Sequence, residues 1–179
     1  VEMIAAILRA GGKTVVYNEE GSNQIEGVTT LILTHATFTG HVRADVLLIE
    51  SDERYAVQSF RYFHPTVFVV TNLYRDQLTR NGHPEWVYDA ILPAIAPETL
   101  LVLNGDDPLS SCFANGHERV KWFGLNECSL STKEPSGAYR DGTYCPVCKA
   151  PMEYDYYHYN HIGAYRCTQC GHQKPKTDY

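Results

Sequence analysis

Four of the six cysteines form two Cys-x-x-Cys pairs in the last quarter of the chain. Cys145 pairs with Cys148 and Cys167 with Cys170, and residues 149–166 separate the two pairs. A two-residue gap lets one knuckle turn present two thiolates to the same ion, and tetrahedral zinc takes four such ligands. This spacing is typical of a zinc ribbon, in which a hairpin joins the knuckles. Four protein ligands leave no open coordination position, so the sequence predicts a structural zinc site.

Two disulfides are the alternative for these cysteines, but disulfide scaffolds are usually shorter and richer in cysteine. We therefore expect a reducing, cytoplasmic setting with bound zinc. Cys112 and Cys128 lie outside the pairs, and the sequence assigns them no role. His158, His161 and His172 are further candidate ligands, although four cysteines already satisfy the ion.

Composition narrows the classes of protein that the chain can represent. Of its 179 residues, 44% are hydrophobic and 20% charged, so the chain can bury a core. A formal net charge of −6 argues against a protein that coats nucleic acid or an anionic membrane. The tyrosines around the cysteine pairs are therefore expected to cover the metal site and not to stack on bases. No apolar run approaches the roughly 18 residues of a membrane-spanning helix, so we expect no transmembrane segment.

The cysteine pairs follow a region in which strand-like and helix-like segments alternate. Nearly all-apolar strands that alternate with helices predict an α/β fold, with a mostly parallel sheet flanked by helices. The composition changes near residue 139, so we expect an α/β domain at 1–138 and the zinc ribbon at 139–179. Strands are predicted at 13–17, 45–50, 65–71, 100–103 and 119–123, and helices at 1–10, 24–34, 53–61 and 85–95.

Polar residues follow several predicted strands directly: Asn18, Glu50, Thr71, Asn72 and Asn104. Ligands of parallel α/β sheets bind at the carboxyl ends of the strands, so each of these residues is a candidate binding residue. Asparagine is also common in turns for purely local reasons. The residues alone leave both interpretations open.

Four segments in a fixed order, followed by the ribbon, resemble the central ATP-binding domain of the Mur ligases. The Thr71-Asn72-x-x-Arg75-Asp76-Gln77 form is similar to one branch of that family, in which Gln77 stands where many other members carry histidine. The resemblance covers essentially the whole chain. The segments are GSN and GVTT within 21–30, LIESDE at 48–53, VVTNLYRDQLTRNG at 69–82 and LNGDDPL at 103–109.

The resemblance implies an ATP-dependent carbon–nitrogen ligase of peptidoglycan synthesis. Its branch activates the α-carboxylate of D-glutamate in the lipid II stem peptide as an acyl phosphate. Ammonia from a GatD-type glutamine amidotransferase subunit then gives D-isoglutamine. By position, Glu50 matches the acidic Mg²⁺ ligand, and the ion that such a carboxylate holds neutralises charge during phosphoryl transfer. Thr71, Asn72 and Asp76 match the loop beside the nucleotide, and Asn23 a loop that faces substrate.

The phosphate-binding loop of that family has no counterpart in the chain. Gly11-Gly12-Lys13-Thr14 is superficially similar, but Lys13 opens a predicted strand, whereas a P-loop lysine opens a helix. The first residues also read as the middle of a helix. We therefore expect a piece truncated at both ends, inactive alone, with no catalytic residue assigned. The alternatives are a non-enzymatic zinc-ribbon binding module and another Mur or folylpolyglutamate-type ligase.

Overall fold

The computed structural model describes residues 1–18, 21–75, 82–137 and 139–179. These residues divide into two compact units, Val1–Phe63 and His64–Tyr179. Parallel strands occur in both units, and the second unit also contains the hairpin between the cysteine pairs. The α/β class is confirmed. The domain boundary expected at 138/139 stays a prediction.

The first unit is a β-α-β arrangement between two other helices. Strands β1 and β2 pair in parallel, with Val15 opposite Val46. Helix α2 makes the crossover and buries Val28 and Leu31. Its elements are α1 (Glu2–Ala10), β1 (Val15–Tyr17), α2 (Ile25–His35), β2 (Val46–Leu48) and α3 (Ala56–Ser59).

The second unit is built on a three-stranded parallel sheet in the order β3-β4-β5. Strand β4 lies in the middle and buries Leu101 and Leu103 completely. Ile91 and Phe113 close the core from the helical side. The elements are β3 (Val67–Val70), α4 (Pro84–Ile91), a 3-10 turn (Leu92–Ala94), β4 (Leu100–Asn104), a second 3-10 turn (Ser110–Ala114) and β5 (Val120–Phe123).

An antiparallel hairpin completes the second unit. Strands β6 (Met152–Tyr159) and β7 (Ile162–Cys167) pair with Met152 opposite Cys167. Asn160 occupies the turn with a positive φ of 50°, a conformation that asparagine tolerates better than most residues. The hairpin expected between the two cysteine pairs is therefore present.

Three predicted elements differ from the structure for local reasons. The helix predicted at 85–95 continues only as a 3-10 turn beyond Ile91, because Pro93 has no N–H with which to extend the helix. The helix predicted at 53–61 shrinks to Ala56–Ser59, since Asp52 accepts the backbone N–H of Arg54 and holds a turn there. Strand β3 was predicted to be buried, but one face of it is exposed.

Two buried asparagines close the ends of parallel strand pairs. The amide of Asn18 donates to the carbonyl of Glu50 at 2.7 Å and accepts its N–H at 2.7 Å. Asn104 donates to the carbonyl of Thr71 at 2.8 Å and accepts the N–H of Asp106 at 2.9 Å. Each asparagine thus fixes the backbone that follows a strand. These bonds reach 32 and 33 residues along the chain, so the structural role of the two asparagines is not purely local, and a binding role for them stays a prediction.

Replacing Asn104 with alanine should destabilise the second unit. The substitution leaves the partly buried carbonyl of Thr71 and the buried N–H of Asp106 without their partner, at a cost of roughly 1–3 kcal/mol in the free energy of unfolding. Denaturant titration measures the change. Asn72→Ala is the matched control, because Asn72 is exposed and its loss should cost less than about 0.5 kcal/mol. Equal effects of the two substitutions would contradict the role of Asn104 in fixing the backbone after these strands.

Candidate metal centre and strand-end site

The four paired cysteines converge on one point. Their sulfur atoms all lie within 4.8 Å of one another, with Cys145 Sγ 3.6 Å from Cys170 Sγ and Cys148 Sγ 3.4 Å from Cys167 Sγ. A disulfide needs about 2.05 Å between sulfur atoms, so neither pair is bonded. Tetrahedral zinc with Zn–S distances of about 2.3 Å puts its sulfur ligands just under 4 Å apart. The donor set and its spacing therefore fit a structural zinc ion.

Backbone geometry prepares the knuckles for this role. Lys149 adopts a positive φ of 63° and donates its N–H to the carbonyl of Cys145, which closes the first turn. In the second knuckle the N–H groups of Cys170 and Gln169 each approach Cys167 Sγ at 3.4 Å. These donors favour the thiolate and lower the pKa of Cys167 to about 6. These bonds therefore favour the form of Cys167 that binds a metal ion.

Small apolar side chains surround the buried thiols. Ala150 and Met152 pack against Cys145 and Cys167. Tyr165 donates from its hydroxyl to Ser111 Oγ at 2.8 Å, and the expectation that tyrosines cover the metal stays a prediction. Because that serine lies in the turn after β4, the ribbon uses Tyr165 to attach to the sheet.

The ribbon histidines have partners of their own. His161 Nε2 lies 3.6 Å from Asp107 Oδ1, and His172 Nε2 lies 2.9 Å from the carbonyl of Pro108. His158 Nδ1 lies 3.1 Å from Ser131 Oγ. Among the residues that the structure describes, the group able to hold a metal consists of the four cysteines.

Glu50 lies exposed directly beyond β2, at the carboxyl end of the strand. The side chain of Asn18 bonds to both the N–H and the carbonyl of Glu50. It also donates to the carbonyl of Ser22 at 2.8 Å. The next turn of the chain is tied to the same loop, because the N–H of Asp52 donates to the carbonyl of Asn23 at 2.8 Å. Glu50 and Asn23, predicted separately, therefore share one edge of the first unit.

An open cleft runs along β1 and α2 in the first unit, with a volume of about 610 Å³. Arg9, Asn18 and Ser22 contribute polar groups to its lining, and Tyr17 and Leu31 contribute apolar surface.

In the second unit, Thr71 and Asn72 follow β3 and are exposed. The carbonyl of Thr71 is held by Asn104, whereas the side chain of Asn72 points away from the core. Asp76 and Gln77 lie outside the described residues. The structure thus places Asn72 at a strand end, as the sequence predicts, and leaves its role a prediction.

The sequence interpretation missed a carboxylate with several hydrogen-bond partners, Asp107. It is completely buried and accepts hydrogen bonds from the N–H groups of Leu73 (2.7 Å) and Leu109 (2.9 Å) and from Ser110 Oγ (2.6 Å). Burial raises the pKa of the Asp107 carboxyl, but the facing His161 and the donated bonds outweigh it, so the pKa lies below its usual value. The available signal was the acidic Asp-Asp-Pro run after an apolar strand.

No protein-family model matches the chain. It is 29% identical over 178 residues to "Lipid II isoglutaminyl synthase (glutamine-hydrolyzing) subunit MurT" of Staphylococcus aureus and 31% identical over 182 residues to the protein of that name in Streptococcus pneumoniae. Each match covers 99% of this chain but 39% of the relative, so the chain spans about two fifths of the curated relatives' length.

Two solved structures share the fold. A pseudomurein peptide ligase type C from Methanothermus fervidus superposes with a TM-score of 0.71 at 22% identity, over 98% of this chain and 34% of that one. MurF from Acinetobacter baumannii gives a TM-score of 0.52 at 13% identity, over 70% and 28% of the two chains.

These likenesses show that the chain has a Mur ligase-type fold. Within that class its sequence is similar along nearly its whole length to MurT subunits, so the resemblance drawn from the ordered motifs and the ribbon is confirmed. None of the helices in the described part of the chain has the length and apolarity needed to cross a membrane.

The purified protein should contain one zinc ion per chain, held by the four cysteines. Cys167→Ser removes one thiolate and should lose most of the bound metal, because the remaining ligands no longer complete a tetrahedral site. Elemental analysis gives the stoichiometry, and the spectrum of the Co²⁺-substituted protein reports tetrahedral thiolate coordination. Cys128→Ser is the matched control, since Cys128 lies outside the cluster. Loss of zinc from both variants alike, or from neither, would contradict the assignment.

Proposed function

We propose that the protein is the ATP-dependent subunit that amidates the D-glutamate residue of lipid II during peptidoglycan synthesis. The observation that carries this proposal is the similarity to MurT subunits over 99% of the chain, in a Mur ligase-type fold that places Glu50 at a strand end. Its fold relatives include a peptide ligase and MurF, which supports ligase chemistry at a carboxylate.

The proposed reaction has two steps. An oxygen of the D-glutamate α-carboxylate attacks the γ-phosphorus of ATP, and ADP departs, which leaves an acyl phosphate. Ammonia then attacks the acyl carbon, phosphate leaves with the oxygen that it took from the carboxylate, and the amide of D-isoglutamine remains after loss of a proton. A GatD-type glutaminase partner supplies the ammonia from glutamine.

Glu50 is proposed to hold Mg²⁺ beside the phosphates. Carboxylate oxygens are the ligands that Mg²⁺ prefers, and the bound ion neutralises charge on the transferred phosphoryl group. The exposed side chain is free to reach a ligand, while two hydrogen bonds to Asn18 fix its backbone. Such fixation leaves only the side chain of Glu50 to adjust when an ion binds.

The remaining predicted residues take supporting roles at the strand ends. Asn72, exposed after β3, is proposed to contact the nucleotide together with Asp76. Asn23, tied through its carbonyl to Asp52, is proposed to face the stem peptide beside Glu50. Zinc is proposed to be structural, because four thiolates occupy all of its tetrahedral positions.

The proposal predicts that Glu50→Gln abolishes amidation. The complete protein, co-purified with its glutaminase partner, is supplied with lipid II, ATP, Mg²⁺ and glutamine, and the stem peptides are weighed by mass spectrometry. Wild type should show the mass change of a carboxylic acid that becomes an amide. Glu50→Gln should lower the rate on the order of 10²-fold or more, because charge stabilisation of that size is lost. Glu2→Gln, an exposed acid on α1, serves as the control with an unchanged rate.

Two results would count against the proposal. A Glu50→Gln enzyme with the wild-type rate would remove Glu50 from the reaction. An unchanged stem-peptide mass with wild-type, zinc-loaded protein would overturn the amidating function itself.

A further inference from the structure

The zinc ribbon contacts the segment after β4 at several points. Tyr165, two residues before the ligand Cys167, donates to Ser111 Oγ, and His172, two residues after the ligand Cys170, reaches the carbonyl of Pro108. At the opposite end of the hairpin, the N–H of Gly163 donates to the carbonyl of Asp106 at 2.9 Å. The knuckle end and the turn end of the ribbon therefore hold the same short stretch of chain.

Asp107 links this stretch of chain to the loop after β3. Its Oδ2 accepts the N–H of Leu73 at 2.7 Å, and its Oδ1 lies 3.6 Å from His161 Nε2 of the hairpin turn. The side chains of Asp107 and His161 are 0% and 4% exposed, so water does not substitute for either partner. Leu73 directly follows Asn72, the residue proposed to face the nucleotide.

A second set of contacts reaches the same loop from the ribbon side. The ring of Tyr74 lies 5.5 Å from that of Tyr159 and 6.3 Å from that of His161, nearly parallel to the latter. Arg75 donates from its Nε to both carboxylate oxygens of Asp141, which precedes the first knuckle, at 2.7 and 2.9 Å. The loop is thus contacted by the hairpin turn and by the segment before the first cysteine pair.

We propose that the zinc ribbon positions the loop Thr71–Arg75, with His161 and Asp107 as the positioning residues. The ribbon then has a task in the ligase beyond its own folding: it sets where Asn72 stands. The catalytic consequence rests on the proposed function, whereas the positioning itself is a property of this chain and is measured without any activity.

Amide hydrogen exchange on the zinc-loaded chain tests the positioning. In His161→Phe, loss of the partner of Asp107 should speed the exchange of the Leu73 amide by about tenfold or more. The Leu101 amide, which donates to the carbonyl of Arg119 within the sheet, should keep its wild-type rate. His158→Phe is the matched control, because this ribbon histidine contacts Ser131 and Leu125 instead and should leave Leu73 unchanged.

A conservative variant and metal removal separate positioning from general weakening. His161→Gln retains a donor for Asp107 and should restore part of the Leu73 protection, and chelation of zinc from wild type should raise Leu73 exchange as His161→Phe does. Unchanged Leu73 exchange in His161→Phe would overturn the proposal. Equal acceleration at Leu73 and Leu101 would overturn it too, since that pattern reports loss of overall stability.

Activity of the complete enzyme provides a separate measurement. If the loop is positioned for nucleotide binding, His161→Phe should raise the KM for ATP by about tenfold while zinc content stays at the wild-type level. If His161→Phe speeds the exchange of Leu73 while the wild-type enzyme amidates no lipid II, the positioning stands and the proposed function alone is overturned.

Discussion

The second unit depends on one buried carboxylate, Asp107. Taking a charge out of water costs several kcal/mol unless partners replace the lost hydration. Asp107 finds those partners in three separate parts of the chain: the backbone after β3, its own turn after β4 and the hairpin of the ribbon. These segments therefore have to meet for the charge to be accommodated. These contacts explain why the ends of β3 and β4 belong to one compact unit with the ribbon. The hairpin of the ribbon also contacts the candidate nucleotide loop.

The zinc ion that the four cysteines predict would address a second constraint, the small size of the ribbon. The cluster of described buried residues around its thiols contains Cys145, Ala150 and Cys167, with Met152 packed against it. Such a core is too small to fold by apolar burial, and a structural ion supplies the missing free energy in modules of this kind. Tyr165 donates to Ser111, so the hairpin that joins the cysteine pairs also contacts the turn after β4.

Local patterns carried most of what the sequence could predict. Cysteine spacing predicts the knuckles because the two ligands of one turn are close in sequence. The parallel sheet is predictable because each apolar strand is a short continuous run in the sequence. Glu50 was predictable as a strand-end residue and Asn23 only from the family resemblance, whereas the structural role of Asn18 and Asn104 depends on neighbouring strands. The Asp107–His161 pair could not be predicted, since its partners are distant in sequence and meet only when the ribbon docks. Half-exposure of β3 depends on tertiary packing in the same way.

The central claim is that this chain belongs to an enzyme that activates a carboxylate by phosphorylation, and isotope transfer tests it most directly. Lipid II carrying heavy oxygen in the α-carboxylate of D-glutamate is incubated with ATP, Mg²⁺, glutamine and the complete enzyme, and the inorganic phosphate is analysed by mass spectrometry. An acyl phosphate transfers one heavy oxygen atom to each phosphate released, in step with amide formation. Amide formation with phosphate free of the label would contradict the account, because the carboxylate oxygen would then never have been bonded to phosphorus.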